Sequence, residues 1–389
     1  MIMDPRPRVI CLPNTMTNWP WPHVMNPHYE DVKAEVDAPF RKFKALSAKS
    51  QEAFDRYDSA RLAGLAYPNA SREHLRIACE FINVLIIVDE YTDVENAAVA
   101  EAMVGIVIDA LHNPHKTRPE GECILGEIIR QQVSSNCLIT HSDAQEILHR
   151  FWTSAIQTAS LPFQRHFLAS FIAYLRAVVV EALDRDEAHC RTISDYIKLR
   201  RDTCATKPAI AIYEVEMDLP DEVFNHPVIV ELVEFIAELM SIDNDMISYN
   251  KEQATGDDNH NLITIVMAEL GLDRSGAMVW AARYHAEVEK RFIDGLAKVP
   301  SWGPSTDVLV KQYLDGMATW ARANHSWSYE TQRYLGTRGP EILRTGLVPL
   351  LPKVNCKATS AAEKVNITDL SVTDAIADRK QPSRISRPT

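Results

Sequence analysis

The sequence predicts an all-α fold, one large bundle of helices. Apolar residues recur at three- and four-residue spacing over many turns, as in "REHLRIACEFINVLIIVDEY", "VIVELVEFIAELMSIDNDMISYNKEQ" and "VLVKQYLDGMATWARANHSWSYETQRYL". Sustained alternation of period two is hard to find. Glycine is scarce, 13 in 389 residues, and no Gly/Ser linker divides the middle of the chain. With 46% hydrophobic and 24% charged residues, the chain can bury a substantial core.

Taken in order, the first 27 residues are Pro-rich and predict a strap draped over the bundle, which then occupies residues 28–353. Proline, asparagine and glycine punctuate at "AYPNAS", "HNPHKTRPEGE", "SLPF", "ATKPA", "NHPV" and "KVPSWGPST", which divides the domain into ten or more helices. The runs 71–94 and 227–250 are more apolar than a surface helix should be and are expected at the centre of the bundle. From 354 to 389 the pattern dissolves into a polar tail of the composition typical of disorder.

Composition also excludes function classes. Net charge is formally -12 with scattered Lys and Arg, which argues against a nucleic-acid footprint. The N-terminus breaks its apolar residues with prolines and charge, so it does not read as a signal peptide, and no run is expected to span a membrane. A cytoplasmic protein is expected. The seven cysteines, at 11, 79, 123, 137, 190, 204 and 356, form no CxxC pair and are expected to be reduced and mostly buried.

Two acidic helix ends carry the chemistry. In "IIVDEYTDVE", Asp89 and Asp93 are four residues apart on one helical face, with Glu90 pointing elsewhere. Such a pair suits magnesium, which takes one or two carboxylates and keeps its waters. In "NDMISYNKE", Asn244, Ser248 and Glu252 stand at i, i+4 and i+8, so an amide oxygen, a hydroxyl and a carboxylate share one face. Each pattern alone also fits a solvated helix end or local hydrogen bonding. Their coincidence, each closing a strongly apolar helix, favours a metal site. Arg200 and Arg201 in "KLRRDT", Lys251 beside Glu252, and Arg333 with Tyr334 in "SYETQRYLG" offer donors for phosphate oxygens; singly, each also fits a surface salt bridge. The stretch "GDDNHN" lacks ligand spacing and reads as a polar loop. No HExxH, P-loop, GxGxxG or Ser-His-Asp arrangement is evident.

Together these residues resemble the class I terpene cyclases, most closely the fungal (basidiomycete-type) sesquiterpene synthases. The ordered set "DEYTD", "LRRDT", "NDMISYNKE" and a late "RY" spans roughly residues 20 to 350. The resemblance implies a single-domain class I terpenoid synthase bundle surrounding an apolar active-site cavity. It also implies three magnesium ions held by Asp89, Asp93, Asn244, Ser248 and Glu252. Arg200, Lys251, Arg333 and Tyr334 would hold a diphosphate, with Arg200 or Arg201 as its sensor. The implied substrate is farnesyl diphosphate, and a homodimer is an allowed assembly. Trp327, about two turns before Arg333, is either a ring face for passing carbocations or a packed core residue. The motifs look most like the group that closes the 1,11 ring, the protoilludene synthases. Two rival readings are a chain-elongating prenyl diphosphate synthase, which would show a second aspartate-rich motif, and a non-catalytic helical scaffold.

Overall fold

The structure, a computed structural model, describes residues 9–42, 46, 48–113, 116–119, 122–123, 125–126, 152 and 159–353. The tail expected at 354–389 and the first eight residues of the strap lie outside them. The elements in order are β1 (Val9–Cys11), α1 (Tyr29–Lys42), α2 (Ala48–Tyr57), α3 (Ser59–Ala66), α4 (Arg72–Thr92), α5 (Ala97–His112), α6 (Leu161–Asp186), α7 (Ile193–Thr203), α8 (Thr206–Ala211), α9 (Asp221–Phe224), α10 (Pro227–Thr255), α11 (Leu262–Leu270), α12 (Arg274–Leu296), α13 (Pro304–Glu330), α14 (Gly339–Thr345) and β2 (Leu347–Pro349).

Local chemistry sets most of these limits. Ser71, Ser160, Thr192 and Asp273 each accept a backbone N–H from the first turn of the helix that follows, satisfying a donor the helix cannot. The prolines that punctuate the sequence stand in the first turns of α6, α10 and α13, where a missing N–H costs nothing. Gly256, at φ 86°, ends α10 in the left-handed region.

The two apolar runs lie where expected, in α4 and α10. Leu75, Phe81, Ile82 and Val84 of α4, with Leu232, Ile236 and Leu239 of α10, belong to the main core, alongside Phe163, Phe167 and Phe171 of α6. A second apolar cluster joins Ile242, Met246 and Ile247 of α10 to Leu262 and Val266 of α11, Ile10, Leu335 and Val348.

The fold is all-α as expected; one small addition is that β1 and β2 pair antiparallel, Ile10 opposite Val348, in strands too short for alternation to show. Two expectations need correction. The helix α6 is long and apolar enough to cross a membrane by length and composition alone. Its Phe163, Phe167, Phe171, Tyr174 and Leu175 are buried among other helices, which marks it as a core helix. The five described cysteines are free, as expected, but only Cys79 is buried, and Cys11 and Cys190 are exposed.

Residues 12–21 lie over α12 and α13. Arg322 donates to the carbonyls of Met16 (3.0 Å), Trp19 (2.7 Å) and Trp21 (3.0 Å), and the Trp19 indole donates to Ala318 O at 3.0 Å. Thr15 donates to Asp243 at 2.6 Å, a carboxyl that burial pushes up to about 7.

Gly339 opens α14 against the end of α13, and a Cβ there would run into the Tyr329 carbonyl. Gly339→Ala should lower stability by about 1–3 kcal/mol, read as a shift in the urea midpoint. An unchanged midpoint would contradict this contact.

Candidate active site

The last turn of α4 carries Asp89, and Asp93 caps it, its N–H donating to Asp89 O at 2.9 Å. The helix is held here by burial of Val84, Ile87 and Val88, and by Thr92, whose hydroxyl donates to Val88 O at 2.8 Å. Burial pushes the Asp89 carboxyl up to about 6, with Arg333 opposing the shift. Asp93 is raised too, by desolvation and by Asp89 and Glu181. More than half of its side chain is open to solvent, so crowding by the Asp89 and Glu181 carboxylates weighs heavily in that rise.

The second row of candidate ligands is on α10. Ser248 is buried, and its hydroxyl, though it makes no hydrogen bond of good geometry, lies close enough to Glu252 to oppose the rise of that carboxyl. Burial, then Asp245, pushes the Glu252 carboxyl up to about 7, while Asn261 donates to it at 2.9 Å. Burial, then Arg333, brings Lys251 down to about 7. Asn244 joins two elements: it accepts from Arg200 at 2.9 Å and donates to the Tyr334 hydroxyl at 2.8 Å.

The two neighbouring arginines part company. Arg200 reaches Asn244 and pairs with Asp245 at 3.2 Å; Arg201 is taken by Glu238 and Glu234, each at 2.8 Å. Successive helical residues point about 100° apart. Only Arg200 therefore meets the Asn244 face.

Arg333 is half-buried against the rings of Tyr57 (5.3 Å) and Tyr334 (5.8 Å), with its Nε unpaired. Glu90 stands 3.6 Å from it. The sequence reading, which turned Glu90 away from the site, is thus corrected: it leaves the Asp89–Asp93 face but joins the mouth through Arg333. Trp327 is 1% exposed, its Nε1 donating to Tyr57 O at 2.7 Å and its ring 5.9 Å from that of Tyr334.

Several residues at the mouth went unread in the sequence. Asp245 accepts from the Tyr196 hydroxyl at 2.6 Å and from Leu262 N at 3.0 Å. Glu181 of α6 lies 2.9 Å from His260, whose raised pKa reflects that carboxylate overcoming burial. Arg185 donates to Thr92 O at 3.0 Å and stands 3.8 Å from Asp93. "GDDNHN" is therefore more than a polar loop, since His260 and Asn261 face the site. An acid next to Asn244 in a buried helix was the available signal for Asp245; the others carried none.

The donors fit a hard cation. Asp89, Asp93, Asn244, Ser248 and Glu252 offer only oxygen as ligand atoms, and three carboxyls are raised as they would be where positive charge is wanting. Among the described residues no three His, Cys, Asp or Glu side chains form a closed cage. Magnesium keeps waters and accepts phosphate oxygens, so it needs none.

Asp245→Ala would leave Arg200 largely uncompensated in a buried setting. We expect a loss of about 3 kcal/mol in urea unfolding at pH 7, and a loss under about 1 kcal/mol would contradict this role.

The profile described as "Terpene synthase family 2, C-terminal metal binding" matches residues 80–291. Sesquiterpene synthase 14 of Postia placenta is 48% identical over 94% of this chain and 99% of its own length. Delta(6)-protoilludene synthase 18 of the same fungus is 45% identical over 93% and 98%, and delta(6)-protoilludene synthase of Armillaria gallica is 44% identical over 89% and 94%. Among solved structures, α-eudesmol synthase superposes with a TM-score of 0.67 at 18% identity, covering 80% of this chain and 98% of its own. That likeness bears on the all-α bundle, and the sequence relatives on descent: the chain belongs to the terpene synthase family.

Proposed function

We propose that the protein is a sesquiterpene synthase that converts farnesyl diphosphate to delta(6)-protoilludene by 1,11 ring closure, with three magnesium ions. The observation that carries the reaction class is that Asn244 is bonded by both Arg200 and Tyr334, while Arg333, next to Tyr334, acts on Asp89 and stands 3.6 Å from Glu90 at the end of α4. Farnesyl diphosphate is the substrate that the sequence motifs imply, and the names of relatives such as delta(6)-protoilludene synthase 18 of Postia placenta support the product.

Asp89 and Asp93 on one side, and Asn244, Ser248 and Glu252 on the other, would hold magnesium, which when bound neutralises the diphosphate and stabilises it as a leaving group. Arg200, Lys251 and Arg333 supply N–H donors to the phosphate oxygens, and the Tyr334 hydroxyl supplies an O–H donor. Arg200 is the diphosphate sensor in this reading, and Arg201 a structural residue. Departure of the diphosphate leaves an allylic cation. The rings of Tyr57 and Trp327, enclosed beside Arg333, exclude water from this side and present π density to positive charge. Cyclisation ends in proton loss.

Incubation with farnesyl diphosphate, with and without magnesium, followed by gas chromatography with mass spectrometry, tests the reading. A magnesium-dependent delta(6)-protoilludene is expected. Cadinane products of 1,10 closure would overturn the product, longer prenyl diphosphates would favour chain elongation, and no conversion would favour the scaffold. Asn244→Ala and Glu252→Ala should each lower turnover by roughly 10²-fold or more with helicity intact. Near wild-type turnover in either would remove that residue from the ligand set.

The arginines separate differently. Arg200→Ala should lower kcat by roughly 10²-fold. Arg201→Ala should instead lower stability by about 3 kcal/mol, because Glu238, with 0% of its side chain exposed, loses its cation. The reverse pattern in kinetics and urea unfolding would exchange the two roles.

A further inference from the structure

The helix α10 does more than present Lys251 and Glu252. Immediately either side of them stand Asn250 and Gln253, buried to 6% and 4% exposure. The Asn250 amide donates to Pro349 O at 3.0 Å and accepts from Leu351 N at 3.0 Å, bonding the backbone as a neighbouring strand would. Gln253 donates to Leu351 O at 3.0 Å and to Asn250 O at 3.0 Å. The other edge of this segment belongs to the N-terminal strap: Ile10 pairs with Val348, and Leu12 N donates to Gly346 O at 2.7 Å. The segment 346–351 is thus clasped between the strap and the end of the metal helix.

The segment follows closely on the Arg333–Tyr334 loop. Between them lies α14, and Leu335 and Ile342, at 1% and 0% exposure, are packed with Ile10, Val348 and Ile247 in one apolar cluster. Apolar packing alone would tolerate a sliding strand. Two buried amides do not, because slippage would leave their polar atoms unpaired.

We infer that Asn250 and Gln253 are positioning residues for the reaction: by fixing the register of residues 346–351 against α10, they hold the Arg333–Tyr334 loop at the place where it closes over the diphosphate. The inference rests on the reading of that loop as a diphosphate grip. A loop held off its place would close loosely, admit water and let it capture the cation as an alcohol.

Two measurements on the full chain test this. In turnover with farnesyl diphosphate, Asn250→Ala and Gln253→Leu should each lower kcat about tenfold and raise the fraction of terpene alcohol. Asn250→Gln, which keeps both amide groups, should restore the hydrocarbon fraction at least in part. In hydrogen exchange of the ligand-free protein, Asn250→Ala should speed exchange about tenfold throughout 332–351. Wild-type kcat and hydrocarbon fraction in both variants, or faster exchange confined to 347–351, would overturn the inference. The exchange result does not require the substrate assignment to be right, so the two can fail separately.

Discussion

The mouth of this protein depends on the buried carboxylate of Asp245. It accepts from Tyr196 of α7 and from Leu262 N at the start of α11, and it pairs with Arg200. A single group therefore ties α7 and α11 to α10. A buried ion pair adds little net stability, because desolvation offsets most of the attraction. What it fixes is geometry. With Arg200 held by Asp245, its outer nitrogen meets Asn244, which in turn reaches Tyr334, and donors from three parts of the chain converge on one face.

That convergence is electrostatically unfinished. Asp89, Asp93 and Glu252 bind protons more tightly than ordinary carboxyls, while Lys251 releases its own more readily. Burial penalises Asp89, Glu252 and Lys251, of both signs, in the same small region, and neighbouring carboxylates add to the rise of Asp93. Arg333 escapes this by its contacts with Glu90 and two tyrosine rings. Such an arrangement is poorly satisfied by itself. In the proposed function it would be satisfied by a cation and an anion entering together, which is the electrostatic demand of an ionising diphosphate.

Much of this was legible in the sequence, for identifiable reasons. The apolar runs of α4 and α10 are long and begin at Ser71 and Pro227, so their inner position could be read, and the four-residue spacing of Asn244, Ser248 and Glu252 placed them on one face. Choosing Arg200 over Arg201 was not possible, because it turns on the rotation of α7 against α10. Tyr57 and Glu181 were invisible for a related reason: each reaches the mouth through packing between segments far apart in the chain. The three-residue strands β1 and β2 are shorter than any alternation can reveal, and the amides that clasp β2 look like ordinary helix-end residues until their partners are seen.

The central claim is that the site binds metal and diphosphate jointly. Isothermal titration calorimetry of inorganic diphosphate into the protein, with and without magnesium, tests it most directly. The account predicts tight binding only when magnesium is present, and its loss in Asn244→Ala. Equal affinity in the absence of magnesium would contradict it.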